Sequence, residues 1–487
     1  MSKLKAFSGF LIISLPIIFL ITIFCGINTL GIEVENYDLW RLQQIIIFNF
    51  SLFLFLIFIK KELLFFHKKN NPKNITIILA SLILIGFTIY YAKSSILAIV
   101  DLLFYISAVF YCVVLIKTLQ LLIQNNHKFL AYIENGLAIT TFSPLYIIFY
   151  CLLSYYLLIS QNINYTNTWH ILFNNIRYYN DTLLPLLFLL WFKPGFLKKE
   201  SKIVVIISSL YLLTLWLDAA RAVWLGIVIG LGFIFFKSSI KALKIPLISI
   251  GLSFLLYLFL IKMQPEVASY NVLRETSSGR LFMWISSGQY LLQHYGFGIG
   301  GENFIFANSL NIKPPVGHIH NIVMQFFIEW GWVGLLFILY LGYQFLKVFI
   351  LSNKIPVLLS GGAIAIVINM LLSGAGVYPQ SQMAIFLFFA YSIYFYSQNS
   401  SLEEPEKSLT INGTLAWRNS LKFMVVIVNI LLLIYTVTSY QKINATICDS
   451  ESQVENIEKS QKQESVEISP SQKSPRFWQD ATFIPLN

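Results

Sequence analysis

The chain has 487 residues, 57% of them hydrophobic and only 12% charged, and its mean hydropathy is +0.70. So little polar surface excludes a soluble globular domain and leaves a protein that lives in lipid. The formal net charge of +11 needs no nucleic-acid partner, because basic loops facing an anionic leaflet account for it and no nucleic-acid-binding motif accompanies them.

A hydrocarbon core about 30 Å thick demands roughly 17 to 25 apolar residues per helix. Such runs predict helices near 7–27, 41–59, 75–92, 95–121, 137–160, 182–193, 202–217, 222–237, 246–262, 328–350, 355–372, 382–397 and 421–439. The expected fold is therefore an all-α polytopic membrane protein of about 12–13 transmembrane helices. The first run follows Lys3 and Lys5 as a signal peptide would, but no small-residue cleavage site follows it, so it reads as a span. Lys60, Lys61, Lys68, Lys69 and Lys73, then Lys193, Lys198, Lys199 and Lys202, then Lys237, Lys241 and Lys244 fall on one side. The retention of basic loops makes that side cytoplasmic, with the amino terminus beside it. Cys25, Cys112, Cys151 and Cys448 are scattered and suggest neither a disulfide framework nor a metal site.

Three stretches fall on the outer side: 161–181, a large loop at 263–320, and the tail after Tyr440. The large loop is rich in Gly and aromatic residues, and Gly279 to Tyr295 reads as an amphipathic helix laid on the membrane surface. The chain divides into amino-terminal helices (1–176), a core with the large loop (177–400), a cytoplasmic loop and last helix (401–440), and a tail (441–487). The tail's Ser, Gln, Glu and Lys predict a flexible, periplasmic segment, closed by the aromatic patch Pro475-Arg476-Phe477-Trp478. No internal repeat of the kind that marks many transporters is visible.

Arginine on the outer side requires a reason. Arg221, in Asp218-Ala-Ala-Arg221-Ala-Val-Trp224, is either an i,i+3 partner of Asp218 or an anion site, since a guanidinium grips phosphate oxygens in bidentate fashion. Arg280 opens the surface helix after a Ser-Ser-Gly turn, where free N–H groups and a cation make an anion-binding corner as readily as a solvated helix start. Arg177, in Asn175-Ile-Arg177-Tyr-Tyr-Asn180-Asp181, reads as a weaker candidate or a structural loop charge. The sharpest pattern is Gly317-His318-Ile-His320-Asn321, followed after nine residues by Gly331-Trp-Val-Gly334. A histidine accepts and returns a proton near neutral pH, and a glycine pair lets a neighbouring helix approach closely. His-x-His also suggests a metal, but neither Glu302 nor Glu329 makes a convincing third ligand, so no metal is expected.

These residues resemble the O-antigen ligase family. His320-Asn321, nine residues, then Gly331-x-x-Gly334 matches its signature. Arg221-Ala-Val-Trp224-Leu225-Gly, Ser278-Gly279-Arg280 with Trp284, and Gly296-Phe-Gly298-Ile-Gly300 resemble the other landmarks, in the right order, over roughly Arg177 to Pro379. The resemblance implies a GT-C-like, inverting, metal-independent and cofactor-free glycosyltransferase of the bacterial inner membrane, acting in the periplasm on an undecaprenyl diphosphate-linked glycan. Arg221 and Arg280 would hold the donor diphosphate and His320 would activate the acceptor hydroxyl, with His318, Asn321, Gly331, Gly334 and Arg177 in support. The acceptor would be lipid A core or, alternatively, a protein Ser or Thr, as on pilin. A polymerase of lipid-linked repeats uses the same donor but can lack the His-Asn signature, and a lipid-linked sugar transporter would need no proton acceptor at His320.

Overall fold

The computed structural model describes residues 3–25, 36–58, 72–125, 127–160, 176–238, 240–263, 280–301, 303–304 and 319–401. His318, the span at 421–439 and the tail lie outside them, as does most of the large loop. Among the described residues the secondary structure is entirely helical: α1 (Lys3–Phe24), α2 (Asn36–Phe58), α3 (Pro72–Tyr91), α4 (Ser95–Asn125), α5 (His127–Thr140), α6 (Pro144–Ser160), α7 (Ile176–Phe192), α8 (Ser201–Leu217), α9 (Arg221–Lys237), α10 (Lys244–Met263), α11 (Arg280–Gln293), α12 (Ile322–Phe345), α13 (Val357–Leu372) and α14 (Pro379–Ser401). Among the described residues four stretches are long and apolar enough to cross a membrane, at Ala6–Phe24, Ser95–Ile123, Ile240–Lys262 and Ile322–Leu351, and there are shorter apolar helices besides. Their outward faces are apolar, as in α10, where Leu247, Leu252, Leu255, Leu258 and Phe259 are exposed. That distribution suits a lipid solvent.

Two sequence expectations are corrected. The run expected as one helix over 137–160 is two, because the chain turns at Thr141–Ser143 between α5 and α6. Helix α5 carries Glu134, 7% exposed at its side chain and paired with Lys198 at 2.6 Å, with Tyr391 donating to its other oxygen at 3.1 Å. Carboxylate and amide within α5 lower its apparent hydrophobicity, and their partners are distant in sequence. Residues 176–181, expected in an outer loop, form the first turns of α7.

Helix α7 runs through the centre of the molecule. Leu183, Leu184 and Leu186 to Leu190 have no accessible surface, enclosed by α8, α13 and α14. Helix α13 lies between α7 and α9, and the α9 contact is made by small residues. A Cβ on Gly226 would stand 2.5 Å from the Ala365 carbonyl oxygen, and one on Gly230 2.5 Å from that of Gly361. This antiparallel small-xxx-small seam lets the two backbones touch without side chains between them. It aligns the start of α9, Arg221, with the end of α13, Leu372. Helices α7, α9, α12 and α14 all begin at that same end of the bundle.

Because the seam has no space for a larger group, Gly230→Leu should destabilise the purified protein by about 1–3 kcal/mol, as overpacking does. Gly232 faces open space, and Gly232→Leu should leave thermal unfolding in detergent within about 0.5 kcal/mol of wild type.

Candidate active site

The site forms where these helices start. Asn321 caps α12, its side-chain oxygen accepting from the Val323 and Met324 N–H groups at 3.0 Å each. The preceding residue, His320, takes a left-handed backbone with φ 58°. For a residue with a Cβ this costs about 1–2 kcal/mol and persists only where surroundings enforce it. Here they do so from both sides of Ile319: its N–H donates to Gln325 Oε1 at 2.8 Å, and its carbonyl accepts from Trp284 Nε1 at 3.0 Å. Gln325 is in turn held by its own donation to Glu329 Oε1 at 2.5 Å. Glu329, weighed as a metal ligand, thus sits fully buried beneath the histidine's support. Among the described residues no group of three or more His, Cys, Asp or Glu stands together to hold a metal ion.

The glycine pair acts differently from the sequence expectation. Gly331 interrupts α12 with φ 61° and ψ −146°, a conformation that favours a residue without Cβ. The kink frees carbonyls that the Gly296–Gly300 segment then satisfies: Ile299 N–H donates to Ile328 O and Gly300 N–H to Glu329 O, each at 2.9 Å, while Trp332 N–H donates to Gly296 O at 3.1 Å. A Cβ on Gly331 would collide with the Gly296 carbonyl, and one on Gly334 with the Phe326 carbonyl of the same helix. The pair therefore admits a kink and an extended loop, not a neighbouring helix.

Arg177, expected to be the weakest candidate, is the residue placed directly on the histidine. Its Nη1 stands 3.3 Å from His320 Nε2. A guanidinium only donates, so the bond is made by an unprotonated Nε2. One helical turn further along α7, Asp181 is 2% exposed and accepts from Asn369 at 2.8 Å and from Ser373 Oγ at 3.0 Å. Arg280, at the start of α11, donates to the Leu372 carbonyl at 2.5 Å. Burial first, then the positive charge of Arg177, and more weakly that of Arg221, lower the Arg280 pKa from its ordinary value, while Asp181 and Tyr378 act in the opposite direction. Its Nε is buried without a hydrogen-bond partner among the described residues. Arg177 and Arg280 thus both act on the carboxylate of Asp181, with Arg221 felt by Arg280, and guanidinium groups so crowded, one with an unsatisfied donor, make a receptor for an anion.

Sequence reasoning missed two groups. Asp181 gave no signal because its partners lie 188 and 192 residues away. Arg41 of α2, 2% exposed, donates to Gln44 at 2.7 Å, to Gln382 at 2.8 Å and to the Val377 carbonyl at 2.5 Å, and lies 4.6 Å above the Phe104 ring. It fixes the loop between α13 and α14 from behind. That loop carries Ser373 and Tyr378, whose ring lies 3.9 Å from that of Tyr178.

Residues 204–339 match the family model described as O-antigen ligase. No curated protein and no solved structure is significantly similar to the chain. The matched stretch is narrower than the expected 177–379: it contains Arg221, Arg280, His320, Asn321, Gly331 and Gly334, while Arg177 and Asp181 precede it. Residues 204–339 are thus an O-antigen ligase domain, the integral-membrane domain of ligase- and polymerase-type glycosyltransferases that act on lipid-linked glycans.

Proposed function

We propose that the protein transfers a glycan from undecaprenyl diphosphate to an acceptor hydroxyl at the periplasmic face of the bacterial inner membrane, with lipid A core as the acceptor. The observation that carries this reading is one connected cluster: Arg177 and Arg280 on the buried Asp181 carboxylate, His320 on Arg177, and Arg221 acting on Arg280. The basic loops at the opposite ends of α7 and α9 support the outward orientation of the site.

The chemistry follows from the charges. The acceptor oxygen bonds to the anomeric carbon from the face opposite the diphosphate, inverting it, as the bond from that carbon to the phosphate oxygen breaks. Negative charge then gathers on the diphosphate, where fixed guanidinium groups in a water-poor site stabilise it without reorganisation. The acceptor proton passes to His320 Nε2. That nitrogen accepts from Arg177; a diphosphate competes for the guanidinium and releases the lone pair. The donor's charge also offsets the cost of forming an imidazolium among arginines, so donor binding precedes proton transfer. The activated phosphate bond supplies the driving force, and no nucleotide or metal enters any step.

Complementation of a ligase-null strain, with lipopolysaccharide and glycoprotein both read on gels, tests the reading. Wild type should restore lipopolysaccharide ladders. His320→Ala, expressed at the same level, should lower transfer by about 10²–10⁴-fold, the usual contribution of a general base. An alanine variant as active as wild type overturns the role of His320. Glycosylated protein without ladders moves the acceptor to a Ser or Thr, and elongated lipid-linked glycan alone moves the reaction to polymerisation. In vesicles supplied with lipid-linked donor, Arg280→Ala should lower turnover by about 10²–10³-fold, as removal of a preorganised charge-stabilising donor does. Asp181→Leu, which leaves its guanidinium neighbours uncompensated, should cost about 3–5 kcal/mol of stability in detergent, and Asp181→Asn measurably less.

A further inference from the structure

Three helices that start at the active site finish together at the opposite end of the bundle. There α9 ends at Lys237, α12 passes at Phe345 into a π-helical turn, Leu346–Leu351, and α14 presents Tyr396 and Asn399. Single π turns in helices mark functional positions more often than chance would place them. Between these elements lies an open cavity of about 470 Å³ lined by Lys347, Lys354, Asn353, Asn399, Tyr396 and Leu351.

We propose that this cavity binds the phosphate headgroup of an anionic phospholipid. Its described lining contains two lysines, amides and a tyrosine, and no carboxylate. Lys237 donates to Asn353 Oδ1 at 3.0 Å, which brings a third cation to the rim and leaves the Asn353 amide N–H₂ as a donor. The backbone around the lysines is fixed: Lys354 N–H donates to Ser352 Oγ at 3.0 Å, and Asn399 donates to the Lys354 carbonyl at 2.6 Å. Basic pockets of this kind between helices suit phosphodiester headgroups. Retention of basic loops accounts for lysines on this side, but not for the convergence of Lys237 from α9 with Lys347 and Lys354 from the segment after α12 on one amide-lined cavity. A lipid is favoured over a soluble phosphate by what flanks the cations. Leu351 is 75% exposed, Phe236, next to Lys237, is 86% exposed, and Leu346 is 47% exposed. Acyl chains would cover these side chains while the headgroup sits on the lysines.

Native mass spectrometry of the full-length protein in uncharged detergent, titrated with phosphatidylglycerol or phosphatidylcholine, measures this directly. One phosphatidylglycerol should bind tightly and phosphatidylcholine at least tenfold more weakly. Lys347→Gln/Lys354→Gln should weaken phosphatidylglycerol about thirtyfold, the combined effect of two lysines near a headgroup. Lys199→Gln/Lys202→Gln, the same charge change elsewhere at this end, should leave binding unchanged. If the paired variant misfolds, Asn353→Leu and the charge-preserving Lys347→Arg/Lys354→Arg give the same reading, with loss in the first and retention in the second. Equal affinity for both lipids, full binding by the glutamine pair, or equal loss in the Lys199/Lys202 control overturns the proposal. Displacement of the lipid by millimolar inorganic phosphate also overturns it and assigns the cavity to a soluble phosphate.

Discussion

A carboxylate sealed inside a helical bundle is stable only if its surroundings are built for it, and Asp181 sets that requirement for this protein. Its oxygens receive Asn369 and Ser373 from the end of α13, and its charge faces Arg177 on its own helix and Arg280 at the start of α11. Three elements are thereby committed to one point. The cationic groups need the carboxylate to coexist, and it needs them to remain ionised away from water. The charges do not balance: Arg177 and Arg280 share one acid and Arg221 acts on Arg280, and the surplus is what the diphosphate of the proposed reaction would fill.

The mechanical supports lie outside the charged cluster. The glycine seam of α9 against α13 delivers Arg221 and Leu372 to the same level without intervening side chains. Arg41 draws the loop after α13 towards α2 through the Val377 carbonyl and Gln382, so the wall bearing Ser373 and Tyr378 is braced from behind. Positions that meet no substrate in the proposed reaction therefore fix the angles of those that do.

Hydropathy made most of the helices legible, because a lipid solvent forces long apolar runs that leave little room for other readings. It failed where polar groups are buried in pairs. In α5, Glu134 meets Lys198 and Tyr391 across 64 and 257 residues, and in α7 the polar turn from Arg177 to Asp181 looked like a loop because it faces the site. The motif residues Arg221, Arg280 and His320 stood out through their position and spacing. Arg177 reads only as a weaker candidate, and Asp181 and Arg41 give no signal, since their meaning lies in contacts spanning 143, 188 and 341 residues. Asn321 and Gly331 were noticed for the pattern they complete, and the structure gives each a backbone task instead: capping one helix, and breaking it.

The break at Gly331 has a consequence for how such a protein can diverge. Around it the loop Gly296–Gly300 is joined to α12 by main-chain bonds alone, Asn303 is pinned to Ser94, and Ile319 is gripped by Gln325 and Trp284. The chain is thus anchored at Asn303 and again at Ile319, the first by Ser94 and the second by Gln325 and Trp284. A change in chain length between those anchors would leave the register of His320 intact. In the proposed reaction the position of the proton acceptor is then set by the backbone contacts of α11 and α12, and it does not depend on the length of chain that precedes it.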